Sequence, residues 1–417
     1  MKYESPAGFG TGELFQIFRD GRPRTRSELG EVTGLSRSTI GLRLDTLLEL
    51  GIVSPVTFAA STGGRPSSQV AMNAQARVVA AADLGATHAT VALTDLAGVI
   101  LGETRTALSI ASGPETVLGW LTQSIGELLT DVGRLPTELS AVGIGLPGPV
   151  EHLSGRPSRP PIMPGWDNFD VPSWIQKTYN VPVLVDNDVN IMALGEQSTN
   201  WPEAEHFLFV KVATGIGSGI ISGGMLQRGA DGIAGDIGHI PVSNGTGVIC
   251  HCGNLGCLEA VAGGPAIVAT LRTHGLNVTS GADVVKLVEA GDLTAIHAVR
   301  QAGRDIGEVL SMCVSVINPS VIIIGGSMAQ AGEHLVAGIR EIVYARSMPL
   351  ATQHLTIAES QSGPGSAVIG ASIMAIEHIL TPESIKAMTA KQSGLARKSS
   401  EAGRGSPRSL SGGLDSR

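Results

Sequence analysis

The spacing of apolar residues changes twice along the chain and divides it into three regions. Between residues 11 and 50, apolar residues recur every three or four positions, a spacing that predicts amphipathic helices. Residues 52–70 hold short apolar runs around Ser-Thr-Gly-Gly-Arg-Pro, which favours a two-stranded hairpin. From residue 78 to about residue 380, strand-like runs alternate with helical spacing. This alternation predicts an α/β architecture.

The α/β region begins with a predicted antiparallel meander, because its first three strand-like runs are joined by short turns that contain glycine. These runs are residues 78–84, 89–95 and 99–106. Further buried strands are predicted at residues 141–146, 183–185, 207–212 and 321–324. Residues 382–417 are rich in Ser, Gly, Lys and Arg and lack periodicity, which predicts a disordered tail.

The helical region has the pattern of a helix-turn-helix. Gly34 permits a tight turn, and the Ser36 hydroxyl can cap the helix that follows. Apolar positions of that helix face inward, and the polar side chains predicted to contact DNA are Ser36, Arg37, Ser38, Thr39 and Arg43. At the tip of the predicted wing, Arg65 would enter the narrow minor groove. The alternative is an ordinary helical hairpin with a linker, which the combination of turn, cap and wing disfavours.

Length, net charge and the lengths of apolar runs limit the classes of protein to which the chain can belong. With 417 residues, two or three folded units are expected. A net charge of −8 excludes a protein that coats nucleic acid over its entire surface, but it leaves room for a local DNA-binding module. The first residues are polar, and no apolar run reaches the length of a membrane span. We therefore expect a cytoplasmic protein that has no membrane partner.

Three of the 4 cysteines lie close together and predict a metal site in a reducing compartment. His239, Cys250, Cys252 and Cys257 together offer one imidazole and three thiolates, the composition of a closed structural zinc site. His251 could replace one of these ligands, although we expect it to point away. Three buried free cysteines beside an unrelated histidine would be the alternative. Cys313 lies in an apolar helical stretch and is predicted to be a core residue.

Several glycine-rich and acidic motifs occur in a fixed order along the α/β region. They are Asp83-Leu-Gly-Ala-Thr87, Gly143-Ile-Gly-Leu-Pro-Gly148, Asp186-Asn-Asp-Val-Asn190, Ala213-Thr-Gly-Ile-Gly-Ser-Gly219, Ala234-Gly-Asp-Ile-Gly-His239 and Gly325-Gly326. Together with the zinc segment and the Gly63-Gly-Arg-Pro66 wing, they identify a resemblance to the ROK family of repressors, open reading frames and sugar kinases, in its DNA-binding regulator branch.

The resemblance implies an actin-like ATPase (ribonuclease H-like) fold in two lobes, with a sugar in the cleft between them. The expected organisation is a winged helix-turn-helix at residues 1–73 and a sugar-kinase-like domain at residues 74–381. The lobes would cover about residues 74–190 and 191–381, with a helix near the C-terminus returning to the first lobe. Residues 382–417 would form the tail.

The resemblance also assigns candidate sugar-binding residues, whose side chains suit a ring of hydroxyl groups: Asn187, Asp188, Asp236, His239 and Glu259. In kinases of the family, the residue matching Asp188 is the general base on the sugar hydroxyl. His239 could serve zinc with one ring nitrogen and the sugar with the other.

Glycine-rich turns could cradle nucleotide phosphates with backbone N–H groups. The candidate positions are Asp83, Gly85, Thr87, Thr214, Gly215, Gly217, Gly219, Gly325 and Gly326. Plain hairpin geometry is an equal alternative for these glycines. Active kinases of the family usually have Gly and Lys where this chain has Ala86 and His88, and usually have Glu where it has Asp236. These departures count against ATP use.

The sequence therefore predicts a transcriptional regulator, most simply a repressor, that senses a sugar or sugar phosphate. It would bind an inverted-repeat operator in double-stranded DNA as a homodimer or homotetramer, with structural zinc as its cofactor. The alternative is an ATP-dependent hexose or amino-sugar kinase, alone or in addition to regulation, which would also need ATP and Mg²⁺.

Overall fold

The computed structural model describes residues 9–56, 68–363 and 365–392. These residues belong to two compact units, one of residues 9–77 with 377–392 and the other of residues 78–376. The division near residue 77 lies a few residues after the predicted domain boundary. Each unit is described separately below.

The first unit is a winged helix. Its elements are α1 (Thr11–Gln16), β1 (Arg24–Thr25), α2 (Arg26–Thr33), α3 (Arg37–Glu49), β2 (Val53–Val56) and β3 (Gln69–Met72). The turn between α2 and α3 forms as predicted: Gly34 has a φ of 70°, and the Ser36 side chain accepts a hydrogen bond from the backbone N–H of Thr39. Strands β2 and β3 form the predicted antiparallel wing, and β1 adds a third strand beside β3 that the apolar pattern does not predict.

The second unit contains two five-stranded sheets. Its strands are β4 (Val78–Leu84), β5 (Ala89–Asp95), β6 (Ile100–Thr106), β7 (Leu139–Leu146), β8 (Val150–Glu151), β9 (Arg156–Pro157), β10 (Val183–Asn187), β11 (Phe207–Val212), β12 (Ile216–Ser222), β13 (Met225–Gln227), β14 (Val321–Gly325) and β15 (Thr356–Glu359). Its helices are α4 (Pro114–Asp131), α5 (Val171–Gln176), α6 (Asp188–Asn200), α7 (Leu258–Ala262), α8 (Gly264–Thr273), α9 (Gly281–Glu289), α10 (Leu293–Ile317), α11 (Glu333–Arg346), α12 (Pro349–Thr352) and α13 (Gly365–Ile379).

Each sheet defines one lobe of this unit. The first sheet has the order β10-β7-β4-β5-β6, and its antiparallel β4-β5-β6 part confirms the predicted meander. The second has the order β13-β12-β11-β14-β15. Parallel neighbours (β4-β7-β10 and β11-β14-β15) are joined through helices, as crossover connections require. The buried strands predicted from apolar runs lie within β7, β10, β11 and β14.

Helices α6 and α13 lie between the two sheets and share one core with residues of both. They approach each other so closely that a Cβ atom on Gly370 would overlap the carbonyl oxygen of Ile191, and one on Gly195 would overlap that of Ser366. Glycine is therefore required at this crossing. The hydroxyl oxygens of Thr94 on β5 and Ser372 on α13 are 2.6 Å apart and share a hydrogen bond. Helix α13 therefore packs on the first sheet, as expected of a helix that returns to the first lobe.

The described part of the predicted tail includes a helix, α14 (Pro382–Gln392). The prediction of disorder is corrected here: Thr381 caps this helix by accepting from the Ser384 backbone N–H, Pro382 stands at its first turn, and Ile385 is fully buried. Only one of its residues is buried, which explains why the apolar spacing gave no signal. Residues 393–417 lie outside the described residues.

Among the described residues, no single helix is long and apolar enough to cross a membrane. Helices α13 and α14, with a bend between them, are together long and apolar enough for a span, but length and composition are the whole basis for this.

Candidate functional site

A cavity of about 830 Å³ in the second unit brings together the predicted sugar-binding side chains. Asn187, Asp188, Asp236, His239 and Glu259 all line it. The first two lie at the junction of β10 and α6, at the end of the first sheet, and the other three follow strands of the second sheet. Residues far apart in sequence therefore meet in one pocket that has groups from both lobes.

The start of α6 fixes the first two of these residues. Asn187 is the N-cap: its Oδ1 accepts from the backbone N–H of Val189 at 2.9 Å, and its Nδ2 donates to the carbonyl oxygen of Gly148 at 2.9 Å. Asp188 is the first residue of the helix and is only 3% exposed. The cap thus fixes the direction in which the chain turns from β10 into the cavity wall.

The carboxylate of Asp188 forms an ion pair with Lys211, a cavity residue that the sequence analysis did not select. Nζ of Lys211 lies 2.5 Å from Oδ2 of Asp188. Burial raises the pKa of the Asp188 carboxyl, and the Lys211 ammonium opposes that rise. For Lys211, burial alone would lower the pKa, but the carboxylates of Asp188 and Asp83 outweigh it and raise the pKa. The available signal was a single lysine inside the otherwise apolar strand Phe207–Val212, since a buried charge needs a partner.

A second ion pair connects the two lobes beside the cavity. Nε of Arg228, just after β13, donates to Oδ2 of Asp186 on β10 at 2.6 Å. Asp186 is 2% exposed and also accepts from the side chain of Asn190. This ion pair therefore connects the segment that leads to Asp236 with strand β10, which also contains Asn187. Sequence spacing gives no signal for this pair, because its members are more than 40 residues apart.

Glu259 and His239 complete the second-lobe side of the cavity. Glu259 lies in the first turn of α7 and accepts from the backbone N–H of Ile216 at 3.1 Å. His239 presents its two ring nitrogens to different neighbours: Nδ1 is 3.7 Å from Sγ of Cys250, and Nε2 is 4.0 Å from Oδ1 of Asp236. The predicted double use of this imidazole is geometrically feasible, with one nitrogen toward the cysteines and the other toward the cavity.

The residues of the predicted zinc site fit a tetrahedral metal. One ligand atom from each of His239, Cys250, Cys252 and Cys257 lies within 4.8 Å of all the others. Sγ of Cys252 is 3.7 Å from Sγ of Cys257. Two thiolates bound to one tetrahedral zinc at the usual bond length are about 3.8 Å apart. His251 is exposed and is not part of this group, whereas Cys313 is a buried core residue of α10, as predicted.

The segment before the cysteines is anchored to the long helix α10. Glu308 accepts from both the backbone N–H and the hydroxyl of Ser243, at 3.2 and 2.5 Å, and it also pairs with Arg346. These hydrogen bonds, of which the Ser243 side chain contributes most, lower the pKa of Glu308. A metal held by the cysteine cluster would therefore brace the cavity wall against the helical layer behind it.

The predicted phosphate-binding positions are only partly assembled. Asp83, Thr87, Thr214, Gly215, Gly217, Gly325 and Gly326 line the cavity, whereas Gly85 and Gly219 are not among its lining residues. Gly217 and Gly219 lie in strand β12, and Gly219 gives room to α6. At the end of the predicted 214–219 loop, these glycines therefore serve the strand and its packing, in line with the alternative that they shape the hairpin.

At the first predicted phosphate loop, a side chain of the chain itself lies over one of the glycines. The His88 ring folds back over Gly85, where a Cβ atom would overlap it, and Nε2 of His88 lies 3.1 Å from Oδ2 of Asp83. The Lys211 ammonium lies against Asp188 further inside. Two carboxylates of the cavity, Asp83 and Asp188, are thus each paired with a side chain of the chain itself.

In the first unit, α3 presents part of the predicted DNA-contacting set. Arg37 and Ser38 are exposed, Thr39 is half-buried, and the Ser36 hydroxyl is used in the cap. Arg43 is half-buried, its Nη1 is shielded from solvent with no partner among the described residues, and its contact with DNA stays a prediction. Position 43 lies at the edge of the apolar face, next to Leu44. Arg65 lies outside the described residues.

The ROK family model matches residues 79–378. The chain belongs to the ROK family. Its sequence is 29% identical over 359 residues to the xylose repressor of Bacillus spizizenii, covering 86% of this chain and 92% of that protein.

Two similar solved structures come from different branches of the ROK family, one a regulator and the other a kinase. A ROK family transcriptional regulator, a homologue of the E. coli MLC protein, matches with a TM-score of 0.78 at 25% identity, over 91% of this chain and 98% of that one. A ROK family glucokinase from Streptomyces griseus, in complex with glucose and AMPPNP, matches with a TM-score of 0.62 at 25% identity, over 72% of this chain and 99% of that one. The predicted regulator branch and the two-lobed actin-like fold are therefore confirmed.

Proposed function

We propose that this ROK protein is a sugar-responsive transcriptional repressor that acts on an inverted-repeat operator as a homodimer or homotetramer. The observation that carries the proposal is the single cavity in which Asn187, Asp188, Asp236, His239 and Glu259 meet, in a chain that also has a winged helix. Similarity to a protein named xylose repressor supports it. Since operator DNA would be its partner, we place the protein in the cytoplasm.

The proposed effector is a sugar or sugar phosphate whose hydroxyl groups contact both lobes. Asn187 and Asp188 would serve one side of the ring, and Asp236, His239 and Glu259 the other. A ligand that bridges the two lobes favours an arrangement in which the lobes lie close together around it. Only in that arrangement can it make both sets of hydrogen bonds. The effector would lower operator affinity to the extent that it binds the DNA-free state more tightly.

In this proposal zinc is a structural cofactor. Bound by His239 and the three cysteines, it would hold the imidazole ring in one orientation while leaving Nε2 free for a sugar hydroxyl. The anchor between Ser243 and Glu308 would keep this wall in place.

A kinase is the second candidate, favoured by the glucokinase match and by Asp188 in the cavity. In that activity Asp188 would accept the proton of the attacking sugar hydroxyl. The ion pair to Lys211 and the folded-back His88 ring count against it. A coupled assay of ADP release over a panel of sugars decides the matter: turnover that disappears in Asp188→Ala would establish a kinase.

The repressor proposal predicts specific retardation of the gene's own upstream region in a gel mobility shift assay. Adding the correct sugar, from a panel that includes xylose, glucose, N-acetylglucosamine and their phosphates, should release the DNA. Asp188→Asn should still bind DNA but should no longer respond to that sugar. Absence of binding to every upstream fragment at low salt would refute the proposal.

Arg37→Ala is expected to weaken operator binding by roughly tenfold to a hundredfold, the usual cost of losing a good base contact. Arg37 is exposed at the first position of α3, where a recognition helix meets base edges. Fluorescence anisotropy with labelled operator measures the change. Arg272→Ala, in α8 of the second unit, serves as an arginine control and should leave DNA affinity unchanged. Equal losses in both variants would contradict the assignment of α3.

A further inference from the structure

Lys211 is a charged residue in a strand that is otherwise buried and apolar. The neighbouring strand residues Phe209, Val210 and Val212 are fully buried, whereas the lysine side chain is 23% exposed and lines the cavity. Burying an ammonium group is costly unless the charge is compensated. Its position therefore requires a counter-charge, which Asp188 supplies at 2.5 Å.

A second carboxylate acts on the same ammonium group. Asp83, at the end of β4, is 8% exposed, and its charge contributes to the raised pKa of Lys211. Asp83 is itself held by His88, whose Nε2 lies 3.1 Å from Oδ2. Two buried carboxylates, one on strand β4 and one at the start of helix α6, thus act on one lysine from the second lobe.

Such a pair of carboxylates is what a divalent cation needs in a phosphoryl-transfer site. Mg²⁺ is typically bound by one or two carboxylates together with the phosphates of the nucleotide. In this chain, however, the cation between the lobes is an amino-acid side chain. Its ammonium group cannot coordinate phosphates as a divalent metal does, and it is not displaced without leaving a buried charge unpaired.

We propose that Lys211 is the built-in counter-ion of the cavity, taking the place of the metal ion and the transferred phosphoryl group, so that the protein binds its effector without Mg²⁺ or ATP. Lys211 is then a positioning residue: its ammonium group favours the ionised form of the Asp188 carboxyl and holds that carboxylate where it can accept a sugar hydroxyl. The effector part rests on the proposed function, whereas the counter-ion part rests on the ion pair between Lys211 and Asp188, with the charge of Asp83 nearby.

Removal of the lysine charge provides a direct test with the full-length protein. Lys211→Met is expected to lower the melting temperature by roughly 5–10 °C, because it leaves Asp188 as an unpaired buried charge. Mg²⁺ at millimolar concentration should recover part of this loss in Lys211→Met but leave the wild type unchanged. The double variant Lys211→Met with Asp188→Asn should regain stability without Mg²⁺ and should not respond to it.

The matched control is Lys286→Met, which removes an exposed lysine of α9 and should change neither the melting temperature nor the response to Mg²⁺. Equal Mg²⁺ effects on the wild type and on Lys211→Met, or a double variant less stable than Lys211→Met, would overturn the proposal.

A measurement on the wild type alone keeps the proposal testable even if Lys211→Met does not fold. Isothermal titration of wild-type protein with the ATP analogue AMP-PNP, in the presence of Mg²⁺, should give no saturable heat. Micromolar binding of that analogue to the wild type would overturn the proposal. Neither experiment uses DNA or sugar, so its failure is distinguishable from failure of the repressor assignment.

Discussion

Cys252→Ser should yield protein without bound zinc, whereas the wild type should carry about one ion per chain. Only three of the four clustered ligands would remain, and the affinity of a structural zinc site depends on the complete set. The segment between His239 and Cys257 consists largely of turns and short 3₁₀ helices, so the metal would add a cross-link to its few backbone hydrogen bonds. Elemental analysis by mass spectrometry after gel filtration measures the loss.

The same substitution should weaken effector binding, because His239 would lose the metal ion that we expect to orient its ring. Cys252 is exposed, so the change removes a ligand without opening a cavity in the core. Cys313→Ala provides the matched control: this cysteine is buried in α10, away from the cluster, and its loss should leave the zinc content intact. Zinc retained at full stoichiometry in Cys252→Ser would refute the site.

Gly370→Ala is expected to lower the free energy of unfolding by about 3 kcal/mol, at the upper end of the usual cost of overpacking. The added methyl group would overlap the carbonyl oxygen of Ile191 in the facing helix α6. To make room, α6 must move, and with it Asp188 at its first turn. Calorimetric unfolding and effector titration should therefore both report a loss.

Gly119→Ala is the control for this prediction and should change the free energy of unfolding in the opposite direction. Gly119 lies in the middle of α4, and nothing lies within 4 Å of the position that its Cβ would take. An alanine there should stabilise the protein by about 0.5–1 kcal/mol, because it lowers the entropy of the unfolded chain and favours the helix. Equal destabilisation by the two substitutions would show that the α6–α13 contact is not what makes Gly370 necessary.

Local signals in the sequence were sufficient for much of the fold. The meander at residues 78–106 has strands of the right length between glycine-containing turns, and it folds as the pattern predicts. Ser36 and Gly34 likewise fulfil the roles expected from their chemistry, because a cap and a left-handed turn depend on only a few neighbouring residues. The cysteine cluster could be predicted for the same reason: three of its ligands lie within eight residues.

Predictions failed where a residue's role depends on a partner from elsewhere in the chain. The apolar spacing of helix α14 gave no signal because only one of its residues, Ile385, is buried. The Arg228–Asp186 pair joins two lobes and has no sequence pattern at all.

Periodicity and short motifs were enough to predict the winged helix, the α/β class and the set of polar residues available to a sugar and a metal, and the family resemblance that the motifs carry implied the two lobes. What occupies the centre of the cavity follows only from the three-dimensional arrangement of the chain. There, strands from both lobes bring Lys211 against Asp188. The physical reason is that desolvation and charge pairing depend on distance in space, and a lysine in an apolar strand does not reveal which carboxylate compensates it.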